Sequence, residues 1–238
     1  MNKKMLIGIA VLILAIIGGI IFMVIHSEAK QESSATEKNA KDVLDSSKHN
    51  SESKTESTDT NNNKTSSGKT LVAYFSMAGD VYNVGKVEIG NTALMASYIV
   101  DYLNADSFEI VPVKTYPSNH SDLIVYAKEE QQRDDRPEIK NKLNNMDEYD
   151  TIFIGYPIWW GDLPQILYTF LEEYNFDGKT VIPFNTHEGS GSAGTYDTVK
   201  SKLSNANVNT NGLSIQGKVA RTDDGKEKTL NWLKELGY

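Results

Sequence analysis

Three stretches of the chain concentrate residue types that hold small anionic or planar ligands. The first runs Ser76-Met77-Ala78-Gly79 and resumes at Gly90-Asn91-Thr92-Ala93. Hydroxyls, glycine and backbone N–H groups free at a helix start are the donors a phosphate needs, and they bring no counter-charge. The same residues would also serve as a helix cap with a loop before it. They do not form a Walker loop: five residues separate Gly79 from Gly85-Lys86 where that motif has four, and Val87 stands where it has Ser or Thr.

The second stretch is Gly155-Tyr156-Pro157-Ile158-Trp159-Trp160-Gly161. Two adjacent indoles at a strand end cannot both point into one core, so at least one is expected to offer a flat apolar face to a cleft, as a planar ring requires. The alternative is that both pack under the following helix. The third is Asn185-Thr186-His187-Glu188-Gly189-Ser190-Gly191-Ser192-Ala193-Gly194. Its glycines allow close backbone approach to a ligand, and its side chains add hydroxyls and one imidazole, which alone is as compatible with structural hydrogen bonding as with catalysis. Gly189, Gly191 and Gly194 match the dinucleotide fingerprint only formally, because no acid follows at the ribose offset of ~20 residues. Ser192 is not a hydrolase nucleophile elbow, since Ser190 and not Gly stands two positions before it.

Composition narrows the chemistry further. The absence of cysteine excludes disulfides, thiolate metal sites, iron–sulfur clusters and a cysteine nucleophile, so any electron carried here sits on a bound ligand. A formal net charge of −8 repels phosphate polymers and argues against nucleic-acid binding.

The elements that must position these loops can be read from apolar patterning. Thr70–Ser76 is a nearly continuous apolar run, expected of a strand buried on both faces. Thr92–Leu103 places Ala93, Ala96, Ile99, Val100 and Leu103 on one helical stripe, with Asn91 or Thr92 as the expected cap. Ser107–Val111 reads as a strand and Leu123–Gln131 as a helix, and Thr151–Gly155 reads as the third strand. Asp162-Leu163-Pro164 opens a helix whose buried face is Leu163, Ile166, Leu167, Phe170, Leu171 and Tyr174. A strand at Thr180–Asn185, a helix at Thr195–Leu203, an irregular strand at Val208–Ile215 and a helix at Lys226–Leu236 complete five βα units. This alternation predicts a doubly wound α/β fold: a parallel sheet with helices on both faces and ligands beyond the carboxyl ends of its strands.

The N-terminal third is unlike the rest. Met5–Ile25 is a run of 21 uncharged residues preceded by Lys3 and Lys4, long enough for a membrane-spanning helix with the lysines inside and the remainder outside. Cleavage after Ala29, which follows Ser27-Glu28, would instead release a secreted protein. Residues 26–69 hold seven lysines and eight acids but almost no apolar side chains, and read as a disordered spacer of ~35 Å r.m.s. span. The globular domain is therefore 70–238, with 15 Lys and Arg against 24 Asp and Glu, a net −9. A partner with a basic docking surface suits that charge.

The five βα units, Ser76 with Gly90-Asn91-Thr92, the tandem tryptophans before Pro164, and Thr186-His187-Glu188-Gly189-Ser190-Gly191 together resemble the flavodoxin-like proteins, in particular flavodoxins with tandem tryptophans after the third strand. The resemblance covers 70–238 and implies a five-stranded sheet in the order 2-1-3-4-5 with FMN as cofactor. By that resemblance Ser76, Ala78, Gly90, Asn91, Thr92 and Ala93 would hold the phosphate. Pro157, Ile158, Trp159, Trp160 and Gly161 would line one side of the isoalloxazine, with Thr186, His187, Gly189, Ser190 and Gly191 at its pyrimidine edge. One departure stands out: the family's loop runs directly from Ser or Thr to Gly-Asn-Thr, whereas Asp80–Ile89 is inserted here. The expected role is a membrane-tethered electron carrier with no catalytic acid or base of its own. An NAD(P)H-dependent quinone or flavin reductase, and a flavin-free cell-surface binding module, are the alternatives.

Overall fold

The structure is a computed structural model and describes residues 68–238. The expected membrane-spanning run Met5–Ile25 and nearly all of the spacer lie outside the described residues. Among the described residues no helix is long and apolar enough to cross a membrane.

The chain alternates strands and helices: β1 (Lys69–Tyr74), β2 (Gly79–Val81), β3 (Gly85–Val87), α1 (Asn91–Leu103), β4 (Asp106–Glu109) and α2 (His120–Arg133) form the first half. After a 3₁₀ turn at Met146–Glu148 come β5 (Tyr149–Pro157), α3 (Gln165–Glu173), β6 (Thr180–His187), α4 (Thr195–Lys202), β7 (Asn207–Val208), β8 (Leu213–Gln216), α5 (Gly217–Ala220) and α6 (Asp223–Glu235). The main sheet is wholly parallel and runs β4-β1-β5-β6, with β7 and β8 both on the outer edge of β6. This is the 2-1-3-4-5 order, its fifth strand broken in two. The break falls opposite Pro183 of β6, which has no N–H to offer a ladder: β7 pairs with Thr180 and Val181, and β8 resumes at Phe184.

Strand alternation divides the core into two layers. Leu71, Ala73 and Phe75, with Ile152, Ile154 and Tyr156, face α3 through Ile166, Leu167 and Phe170. Val72, Phe153, Ile182 and Phe184 face the opposite way, onto Met95 and Ile99 of α1 and Trp232 and Leu233 of α6. Both faces are buried, as near-continuous apolar strands require.

Three local features differ from the sequence reading. Neither Asn91 nor Thr92 caps α1. The N-cap is Gly90, which has no side chain, and the N–H of Ala93 donates instead to Ser76 Oγ across the loop at 3.0 Å. Helix α2 begins at His120, three residues before the first apolar position of its stripe, because Asn119 Oδ1 accepts from the Asp122 N–H. The inserted Asp80–Ile89 segment contributes most of the antiparallel hairpin β2–β3, which is tied to the β4–α2 connection by Asp80 N–H donating to Ser118 O at 3.0 Å.

Candidate functional site

The carboxyl ends of β1, β5 and β6 open into a cleft of about 320 Å³. Its wall takes Ser76, Met77, Ala78, Asn91 and Thr92 from the first loop, Pro157, Ile158, Trp159 and Trp160 from the second, and Thr186, His187 and Glu188 from the third. Of the expected site residues, Gly90, Ala93, Gly161, Gly189, Ser190 and Gly191 lie in the same three loops without lining the cleft. The remaining wall was not anticipated: Asp80, Val81 and Tyr82 from the hairpin, and Ser118, His120, Leu123, Ile124 and Ala127 from the start of α2 and the turn before it. Tyr82 and His120 stack at 5.1 Å with 20° between ring planes, and so join the hairpin to α2.

At one end the wall is built for an anion. The backbone N–H groups of Met77, Ala78, Asn91 and Thr92 have no acceptor among the described residues. Two of them belong to the first turn of α1, where the helix dipole adds partial positive charge. Gly90 is required by close approach, since a Cβ there would collide with Met77 O and Ser76 Oγ. The buried Thr92 hydroxyl bonds the buried Thr186 hydroxyl at 2.8 Å and so ties the first loop to the third. Asn91 Oδ1 accepts from Arg221 Nη1 at 3.0 Å, which leaves the Asn91 amide group directed elsewhere. Lys86, the lone cation of the sequence-identified loops, lies instead in a separate concavity with Lys218 and Arg221.

The other end is apolar and aromatic. Trp159 and Asp162 exchange backbone hydrogen bonds at 3.0 Å each, closing a two-residue turn over Trp160 and Gly161. Both central residues have positive φ, +51° and +73°, the pattern of a type I′ turn, and Gly161 relieves the second position. The turn sends the indoles in different directions. Trp159 enters the wall edge-on to Phe75 and Tyr116 at 5.3 and 5.2 Å. Trp160 remains 51% exposed at the rim, held by Nε1 donating to Ile124 O at 2.8 Å and with Lys128 Nζ 5.0 Å over its ring. Both tryptophans therefore line the cleft.

The third loop is internally braced. His187 Nδ1 accepts from the Gly189 N–H at 2.9 Å, which places the imidazole proton on Nε2, and burial holds the ring below its ordinary pKa, favouring the neutral form. Buried Asn185 accepts from Tyr196 Oη at 2.6 Å and donates to Gly191 O at 3.2 Å. No group of three or more His, Cys, Asp or Glu able to hold a metal occurs among the described residues.

A parallel 2-1-3-4-5 sheet with an uncharged anion cradle beside an aromatic wall defines a flavodoxin-like protein. The flavodoxin family model matches residues 69–236, and the chain belongs to that family. A candidate flavoprotein of Bacteroides eggerthii DSM 20697 is 31% identical, with a TM-score of 0.57, over 72% of this chain and 99% of its own. A second, from Bacteroides uniformis ATCC 8492, is 32% identical over 70% and 98%, with a TM-score of 0.56. A flavoprotein of Lactobacillus acidophilus NCFM, solved in complex with FMN, is 24% identical over 64% and 95%, with a TM-score of 0.49. Among curated proteins none matches significantly. Family membership supports FMN as the cofactor of the cleft. The residues fit it: four unclaimed N–H donors beside the Ser76 hydroxyl suit a phosphate monoester, and the tryptophan wall suits a planar ring.

Proposed function

We propose that this protein is a membrane-tethered, outward-facing electron carrier that holds FMN in the cleft. The observation that carries the reading is the juxtaposition of free backbone donors at the start of α1 with an aromatic wall. FMN supplies the redox chemistry when bound. The chain's own work is to hold and enclose it. Ser76 and Gly90 shape the phosphate cradle, Thr92 fixes that cradle to the third loop, Trp159 and Trp160 provide the apolar side, and neutral His187 braces the loop opposite.

The tether rests on Met5–Ile25 with Lys3 and Lys4 before it, and the reach on the polar spacer that follows. The redox partner is a protein with a basic docking surface, in keeping with the net −9 of the domain.

The detergent-solubilised full chain is expected to be yellow and to release FMN on extraction. Recovery of FAD, or of no flavin after reconstitution, overturns the cofactor assignment. Protease applied to intact cells is expected to release a folded domain by cutting within 31–67, and a fully protected domain reverses the topology.

A further inference from the structure

Glu188 has no part in the reading above, yet it occupies a junction. It follows His187 at the end of β6 and lines the cleft. Its Oε2 is occluded and has no hydrogen-bond partner among the described residues. Gly217, at the start of α5, lies so close that a Cβ there would collide with both Glu188 Oε1 and Asn91 Nδ2. The carboxyl and the side chain of Asn91 therefore meet over the same backbone atom, and Asn91, the first residue of α1, belongs to the anion cradle.

The charged and polar groups around this carboxyl are few. Lys218, the Asn83 side chain at the hairpin tip and the Gly217 N–H all favour its charged form. Arg221 is engaged by Ile89 O and Asn91 Oδ1, and burial favours the neutral form of neighbouring His187. Asp80 is the other acid of the cleft wall. Burial outweighs the favourable contacts and pushes Glu188 above the usual carboxylate range. A second anion placed next to Asn91 would raise the cost of the charged form further, because like charges in a poorly solvated site cannot both be kept at low energy.

We propose that Glu188 is a proton-linked positioning residue of the cleft, taking up a proton when a phosphate monoester enters the cradle beside Asn91. The inference rests on reading the cleft as an FMN site. The balance is one proton from solvent to the Glu188 carboxylate for each phosphate bound, with no bond to the ligand made or broken. By linkage, affinity for the phosphate-bearing flavin falls as pH rises above the pKa of Glu188 in the free protein, by up to about tenfold per pH unit, until the pKa in the complex is passed.

The test uses full-length protein in detergent, stripped of flavin and titrated with FMN and with riboflavin, which lacks the phosphate, while flavin fluorescence is followed from about pH 5 to 8. Wild-type protein is expected to lose FMN affinity with rising pH more steeply than Glu188→Gln, and riboflavin affinity is expected to differ little in slope between the two. The phosphate's own ionisation near pH ~6 acts alike on both proteins, so the difference in slope is the readout. Calorimetry in buffers of different ionisation enthalpy counts the protons directly, and the wild-type protein is expected to take up more of them per FMN bound than Glu188→Gln, the phosphate's own ionisation being common to both. FMN binding with equal slopes and equal proton uptake in both proteins overturns this proposal alone. A folded protein that binds no FMN at any pH overturns the cofactor reading and the proposal with it.

Discussion

Thr92 stands where two loops of the cleft are joined by a single buried bond, its hydroxyl 2.8 Å from that of Thr186. Removing one partner leaves the other hydroxyl buried and unpaired, at a cost of roughly 1–2 kcal/mol. Thr92→Ala is therefore expected to weaken FMN binding by roughly tenfold, and Thr92→Ser to recover most of it, as read by flavin fluorescence titration. An unchanged affinity in the alanine variant means this bond does not organise the cradle. Thr92, Ser76 and Asn91 were legible as a strand-to-helix junction rich in donors, but the same residue types also suit a helix cap, and it was their combination with the other two loops that pointed to a phosphate. Tyr82 and His120 were not, since no local pattern relates residues so far apart, and only the hairpin docking on Ser118 stacks them. Glu188 lies within the third glycine-rich stretch, but one acid among glycines and serines carries no spacing signal. Its position becomes informative only when Gly217 is seen against it.

At the level of elements, apolar patterning located the five helices of eight residues or more and the strands of the parallel sheet, because each answers to a buried face, whereas the order of the strands came only with the resemblance to flavodoxins. The hairpin β2–β3 escaped notice since its strands are three residues each, too short for alternation to show, and α5 has only four residues. Helix α2 carries an unusual burden: Glu130 is only 4% exposed and accepts from Tyr116 Oη at 3.0 Å, while the Tyr116 ring supports Trp159. Burial pushes the Glu130 carboxyl up, partly offset by the Tyr116 bond. A folded-state pKa above the unfolded one means the carboxyl's contribution to stability is fully present below its ordinary 4.5 and is lost as pH rises through the native value. Glu130→Gln keeps an acceptor for Tyr116 and removes that loss. Its melting temperature is expected to exceed that of the wild type at neutral pH and to converge with it, or fall below it, in acid. A wild type that is the more stable of the two at neutral pH contradicts burial as the dominant influence on this group.

For the whole domain, 24 acids against 15 Lys and Arg produce a field that acts on both the cofactor and the partner. No lysine or arginine lines the cleft wall, whereas Asp80 does. Lys128 sits over Trp160 at the rim, and Lys86, Lys218 and Arg221 gather in a different concavity. Adding an electron to a ring held in this setting brings negative charge toward negative charge, so the potential of bound FMN is expected to lie below that of free FMN. The same field reaches beyond the surface and draws a basic partner into encounter, speeding association more than it strengthens the final complex. Exposed charges are screened over ~8 Å at physiological ionic strength, and transfer to such a partner should slow steadily as salt is added. Potentiometric titration of the flavin-loaded protein checks the first consequence, and stopped-flow transfer rates across a salt series check the second. The two can fail separately. A potential above that of free FMN would show that local dipoles at the start of α1 and the apolar tryptophan wall outweigh the domain's charge. Salt-independent transfer would instead show that docking relies on the exposed apolar rim formed by Tyr82, Ile124 and Trp160.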